Sequence, residues 1–330
     1  MTAARRGAGA ILAVLLPSAA AAGDRDWIEI RSRHFTVVSD AGEKTARETA
    51  LELERMRAVF KALLPWTARA ERPIRAIAAR ELATIQVPGR REALSFYARG
   101  PESDLMGLAT DAVHLGSFGV GFGVRENRYE AAYRGYAEAA LAAVLGDAVP
   151  PWYRDGVVAV FANVDIRGSA AEVGRVAPGY MLALRGEPEP PRGGMFDKPR
   201  YTMMAAESLL PVTQLVSMPQ PARAQSWALA HFLMFGENGA HRPTMDRLGE
   251  LLRAGRSPAE ATTEALGDLA ALDARYRAFV KAKKFRFQRM ELGETDTKAW
   301  PARPVPAAEA DAALARYREA IGATPDAPLD

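Results

Sequence analysis

R-E-N-R-Y-E-A-A-Y-R-G-Y-A-E-A-A-L-A-A-V-L-G-D-A-V-P-P-W-Y-R-D-G-V-V-A-V-F-A-N-V-D-I, residues 125–166, reads as two apolar helices joined by a turn. Tyr133, Tyr136, Ala137, Ala140, Leu141 and Val144 recur at helical spacing, which predicts a first helix over 126–145. Gly146-Asp147 supplies a stop. Pro150-Pro151 then starts a second helix at Trp152, because a helix's first turn has no use for the N–H that proline lacks. Gly135 sits inside the first helix, where it costs about 1 kcal/mol relative to Ala. That predicts close packing by an adjacent strand or helix.

The second helix reads Pro151-x-Trp-Tyr-Arg-Asp155-Gly156-Val-Val-Ala-Val-Phe161. It resembles the P-x-W-x-x-E-G-x-A-x-x-F helix of the gluzincin metallopeptidases, in particular the peptidase-MA-like group of secreted proteins. In that family the preceding helix carries H-E-x-x-H. The resemblance, aligned on Tyr136, puts the zinc-binding histidines at Arg134 and Glu138, the catalytic glutamate at Gly135 and the third ligand at Asp155. It further implies that Trp152 and Phe161 anchor the second helix. Tyr136, Trp152, Gly156, Trp227 and His231 are the cleft or packing positions.

Two further phrases carry the likeness. Residues 27–40, W-I-E-I-R-S-R-H-F-T-V-V-S-D, match the family's opening W-x-x-x-x-S-x-H-F-x-V-x-S-D and alternate as one or two strands. Residues 225–235, Q-S-W-A-L-A-H-F-L-M-F, match its Q-S-W-A-L-x-H-x-L helix, with Arg223 and Ala224 where the family often has Tyr. The likeness spans about 27–284 and implies a β-layer flanking the cleft, whose edge can hold an extended peptide.

The chemistry of the site is missing. A catalytic zinc needs about three neutral or anionic ligands and an open fourth position. Arg134 cannot lose its proton in a protein, and Gly135 has no carboxylate to activate water. Two readings of Arg134 stand: an i,i+4 ion pair with Glu138, or a metal-free clamp in which its guanidinium is held by Glu138 and Asp155. No pair of the four histidines, His34, His114, His231 and His241, has ligand spacing. Gly116-Ser117-Phe-Gly119 lacks the strand-to-helix setting of a nucleophile elbow, and Gly119-Val-Gly121-Phe-Gly123 lacks the βαβ setting of a nucleotide loop. No metal and no cofactor are expected.

Around these phrases the chain is 330 residues long, 48% hydrophobic and 25% charged, the balance of an ordinary globular protein. Residues 1–22 read as a cleaved signal peptide: Arg5-Arg6, an apolar run over 11–16 and Ala20-Ala21-Ala22 before Gly23. A periplasmic or secreted location follows. There is no cysteine, hence no disulfide and no lipid-anchoring thiol. Loss of the leader takes the net charge from +3 to about +1, which argues against phosphate-driven nucleic-acid binding.

The expected fold is α+β: a small antiparallel or mixed sheet over 23–124, then a mostly helical gluzincin-like body over 125–290. Helices are expected over 43–64, 92–97, 179–184, 245–254, 258–266 and 269–282, and strands over 73–79, 105–116 and 117–124. A loop is read over 187–194. Trp300-Pro-Ala-Arg-Pro-Val-Pro306 reads as a linker before one tetratricopeptide-like helix over 308–321, whose apolar stripe must find cover on this domain or on a partner.

The leading expectation is an exported, catalytically inactive metallopeptidase-like protein that binds a peptide or an envelope protein, with no integral membrane segment in the mature chain. Two alternatives remain. One is a zinc-free hydrolase using Glu126, Glu130, Glu138 or Asp155. The other is a structural part of an envelope assembly that docks through the C-terminal helix.

Overall fold

The computed structural model describes residues 26–69, 72–89, 94–110, 129–146, 149–176, 180, 183–189, 200–203, 209–220, 222–282 and 284–323. The leader, the expected strand over 117–124, His114 and the glycine run over 119–123 lie outside them, as does half of the expected 179–184 helix.

Alternating side chains build the central sheet. In Ile74–Ala79 (β3), Ile74, Ala76 and Ala78 point to one apolar cluster, while Ile77 and Ala79 point to another on the opposite face. Trp27–Arg31 (β1), Phe35–Ser39 (β2), Ser95–Arg99 (β4) and Asp104–Ala109 (β5) share the same sheet. Its sixth strand, Ala302–Val305 (β11), comes from the far end of the chain, and the order is β11-β1-β2-β3-β5-β4. β2, β3 and β5 run parallel, and the remaining pairs are antiparallel. This mixed sheet with its helices is an α+β fold, as the sequence predicts.

Helix α1 (Glu43–Leu63) crosses from β2 to β3 and buries Ala46, Ala50, Leu53, Met56, Val59, Phe60 and Leu63 on the first face. Glu54, on its outer side, accepts from Ser32 Oγ (2.7 Å) and the His34 backbone N–H (2.7 Å), fixing the turn between β1 and β2. A short helix, α2 (Leu82–Ile85), follows β3.

The helical pair is present: α3 (Glu130–Leu145) and α4 (Pro151–Ala162). Tyr133 on α3 is buried and donates its hydroxyl to Glu52 Oε1 of α1 (2.6 Å). Next come Asp165–Arg167 (β6) and Ala170–Val173 (β7), which form a small sheet with Gln288–Glu291 (β10). Arg185–Glu189 (β8) and Arg200–Met203 (β9) pair antiparallel, so the part of the expected 187–194 loop that is described, Glu187 to Glu189, is strand instead. The remaining helices are α5 (Val212–Leu215), α6 (Arg223–Phe235), α7 (Arg242–Arg253), α8 (Pro258–Leu266) and α9 (Leu269–Ala282). Among the described residues no helix is long and apolar enough to cross a membrane.

Two expectations are corrected. Residues 92–97 were expected to be a helix, but Ser95–Arg99 is β4, paired with β5 in the register Tyr97↔Met106. The stretch expected to be a linker supplies β11, with Trp27 opposite Val305 and Ile28 opposite Pro304. Proline is tolerated there because β11 is an edge strand among the described residues, and one side of it needs no ladder donors.

The C-terminal helix α10 (Ala307–Ala323) covers the second face of the sheet. Ala310, Leu314, Tyr317 and Ile321 pack on Trp27, Val38, Ile77, Phe96 and Val305. Tyr317 lies over Gly107, where an added Cβ would come within 2.2 Å of its hydroxyl. The apolar stripe is therefore covered within this domain.

Arg303 fastens this end. Its guanidinium bonds Glu29 of β1 (2.9 and 2.8 Å) and Glu309 at the start of α10. Glu29 is only 2% exposed, and its other bond comes from Arg31 (2.6 Å). Arg303→Ala strips a buried carboxylate of its main partner, and a lowered midpoint in urea denaturation is expected. An unchanged midpoint would make this an ordinary surface bridge.

Candidate functional site

Helix geometry brings Arg134 and Glu138 to one face of α3, and α4 presents Asp155 beside them. Glu138 feels Arg134, Asp155, Arg154 and Arg223, so five charges from three helices meet here. Asp155 Oδ1 lies 3.4 Å from Arg154 Nε, and its Oδ2 lies 3.9 Å from Arg223 Nε.

Arg134 does not form the expected clamp. Among the described residues its hydrogen bonds go to Glu130 Oε1 (3.5 Å) and to Tyr180 Oη (3.2 Å), not to Glu138 or Asp155. The expected i,i+4 pair with Glu138 is replaced by one with Glu130, a turn earlier. Side chains on a helix lean toward its N-terminus, so Arg134 reaches the preceding turn more readily than the next. The guanidinium is mostly enclosed, with 19% of its side chain exposed. Tyr180 and the neighbouring carboxylates hold it firmly protonated against the effect of burial.

Surrounding protein pushes the Glu138 carboxyl above its ordinary range, and Arg134 opposes that rise while Asp155 adds to it. Glu138 is nonetheless exposed on the surface of α3, so solvent screens this effect.

Gly135 turns away from this cluster. An added Cβ would meet Tyr97 Cβ of β4 at 2.3 Å, so its smallness lets α3 lie directly on that strand, as the sequence predicts. A glutamate side chain here would collide with Tyr97. Tyr136 faces the opposite side, buried edge-on against Phe60 (5.4 Å between centroids, 81°).

The remaining predicted positions are packing residues. Trp152 is fully buried and meets Tyr153 edge-on at 5.7 Å. Gly156 is the crossing point of α4 and α6: an added Cβ would sit 2.5 Å from Ser226 O and 2.8 Å from Ala230 Cβ. Gly156→Val should therefore cost about 2 kcal/mol through overpacking. Unchanged chemical denaturation would mean that the two helices can slide apart freely. Trp227 stacks on Tyr180 (5.9 Å, 14°), which holds the hydroxyl that Arg134 uses. His231 is fully buried among Trp227, Phe235, Phe279 and Phe285. Its Nε2 donates to Gly174 O (2.7 Å), the carbonyl of a glycine held at φ +85°.

Tyr180, Arg154 and Arg223 were missed as site members. The only signal for Arg223 was the departure from the family's usual Tyr near that position. Tyr180 comes from a Gly- and Pro-rich stretch with no readable period.

These positions do not fit a zinc ion. A guanidinium has no lone pair to give, and the carboxylates here are engaged with arginines. Among the described residues no three His, Cys, Asp or Glu side chains stand together as metal ligands.

Compared with family models, curated proteins and solved structures, the chain finds no match. The likeness to the gluzincins thus rests on the sequence phrases quoted above.

Proposed function

We propose that this protein is an exported, non-catalytic member of the gluzincin-like frame that binds an extended peptide beside α3. The observation that supports this most is the seating of α3 on β4. Gly135 lies against Tyr97, and β4 is the sheet's outer strand among the described residues. An outer strand can accept a peptide through main-chain hydrogen bonds, and the charges at Arg134, Glu138 and Asp155 would select its side chains. The export and the peptidase ancestry of this reading rest on the sequence phrases.

The test uses the mature protein and short unstructured peptides bearing charges of both signs, with binding read by fluorescence polarisation. Saturable binding is expected, weakened about tenfold by Arg134→Ala with Glu138→Ala. Peptides that bind equally well to that variant, or not at all to the parent, overturn the reading. The frame has its own check: Arg134→His with Glu138→His should create a zinc site together with Asp155, because residues four apart share one helix face. A folded double variant that ignores zinc in calorimetry removes the peptidase likeness.

One observation favours a second reading, a zinc-free carboxylate hydrolase. The raised Glu138 pKa is what a general acid requires. Peptide turnover that vanishes in Glu138→Gln would establish it in place of simple binding.

A further inference from the structure

On the far side of α3 from Arg134, a cavity of about 460 Å³ opens where the parallel strands begin. That volume suits a small organic molecule. Strand register builds one wall: Phe35 pairs with Ile74, Ile74 with Asp104, and Asp104 with Arg99, so four strands end in one row. The base is apolar, formed by Phe60 of α1 and by Tyr136, Ala140 and Ala143 of α3.

The rim is cationic. Arg31, Arg33, Arg57, Arg72 and Arg99 line it, and Asp104 is the one carboxylate in the lining among the described residues. Arg31 is engaged with Glu29, and Arg72 donates to Gly100 O (2.6 Å) and Pro101 O (2.9 Å). Arg33 and Arg99 are exposed and have no ion-pair partner among the described residues. Cationic groups gathered around a concave apolar floor, with two of them lacking a counter-charge, set up a field that concentrates anions.

Asp104 is held back from the cavity. It is 4% exposed, and its Oδ2 accepts from Tyr97 Oη. Its Oδ1 is enclosed by protein and lies 3.6 Å from Arg72 Nε, whose charge answers it.

We propose that this cavity binds a small organic anion: a carboxylate or phosphate ester with an apolar or aromatic body. Its head group would be gripped by Arg33 and Arg99, and its body would lie on Phe60 and Tyr136. Arginine's planar fork suits both head groups, so the shared feature is the anion. This site shares β4 with the proposed peptide site but lies on the opposite face of α3 from Arg134 and Glu138, and variants of Arg33 and Arg99 test it separately.

The test is calorimetric titration of the mature protein with phenyl phosphate, with 4-hydroxybenzoate, and with the uncharged 4-hydroxybenzyl alcohol. Binding of at least one anion is expected, at least about tenfold tighter than the alcohol. Whichever anion is tighter identifies the head group. The double variant Arg33→Ser with Arg99→Ser changes two exposed side chains, so it should keep the parent's thermal midpoint while losing about tenfold in affinity. Arg33→Lys with Arg99→Lys should recover part of that loss. Equal affinity for the alcohol, no heat from either anion at millimolar concentration, or full affinity in the folded serine variant each overturns the proposal.

Discussion

Tyr317→Ala is expected to cost about 4 kcal/mol of folding stability, the largest loss expected here from one side chain. The ring is fully buried in the hollow above Gly107, and its hydroxyl donates to Ile85 O (2.8 Å). Alanine would leave a cavity that the strand beneath cannot fill, because Gly107 has no side chain to move. It would also leave Ile85 O without that bond. Urea denaturation measures this directly, as a lowered midpoint with an unchanged slope. Deletion of residues 307–330 should go further. Trp27, Ile77 and Phe96 would then face water as one apolar patch, and the product should bind a hydrophobic dye or aggregate. A soluble, cooperatively folding truncation would mean that the second face of the sheet needs no cover.

The second large effect concerns acid. Burial pushes the His231 imidazole down to about 4, with the bond to Gly174 O resisting that fall. In the unfolded chain the same ring titrates near its ordinary value of about 6.5. Between these values the unfolded state takes up a proton that the folded state refuses. Stability is therefore complete above about pH 6.5 and falls as pH drops toward about 4. The gap corresponds to about 3 kcal/mol at its limit. Carboxylates elsewhere also respond to acid, so the comparison must be with His231→Phe, which keeps an aromatic ring in the cage and cannot titrate. Unfolding free energies at stepped pH should converge between parent and variant as acid is added. Parallel curves would show that the buried ring protonates freely in place.

Much of the helical layer was legible in the residues. The bounds of α8 and α9 follow from Pro258, Gly267 and a regular apolar period. α1 was as clear, because its buried residues recur every three or four positions. β4 was misread because the helix formers Glu92, Ala93 and Leu94 stand just before it, whereas pairing with β5 decides the state of Ser95–Arg99, and such pairing has no local signature. β11 was hidden by prolines that an edge strand accepts. The small sheet of β6, β7 and β10 joins segments more than a hundred residues apart.

The charged face of α3 was legible for a different reason. Arg134 and Glu138 share a helix face by geometry alone, while the lean of Arg134 toward Glu130 and Tyr180 depends on tertiary packing. The arginine-lined cavity could not have been read. Its cations come from a turn, a helix and two strand ends, among 43 lysines and arginines in the chain. Only the register of β3, β4 and β5 brings Arg99 and Asp104 into one row.

The pairing of Trp27 with Val305 also sets an order of events during synthesis. Among the described residues, β1 is the first strand in chain order and must wait for β11, the last. Until residues 302–305 emerge, β1 has one unpaired edge, and the sheet's second face has no helix over it. Contacts this distant in sequence close slowly, since a long loop must be ordered before they form. A chain that stops short of residue 302 is therefore conspicuous, with a bare strand edge and an apolar face that proteases and chaperones recognise. The sheet and its second apolar face are completed together, by residues 302–323.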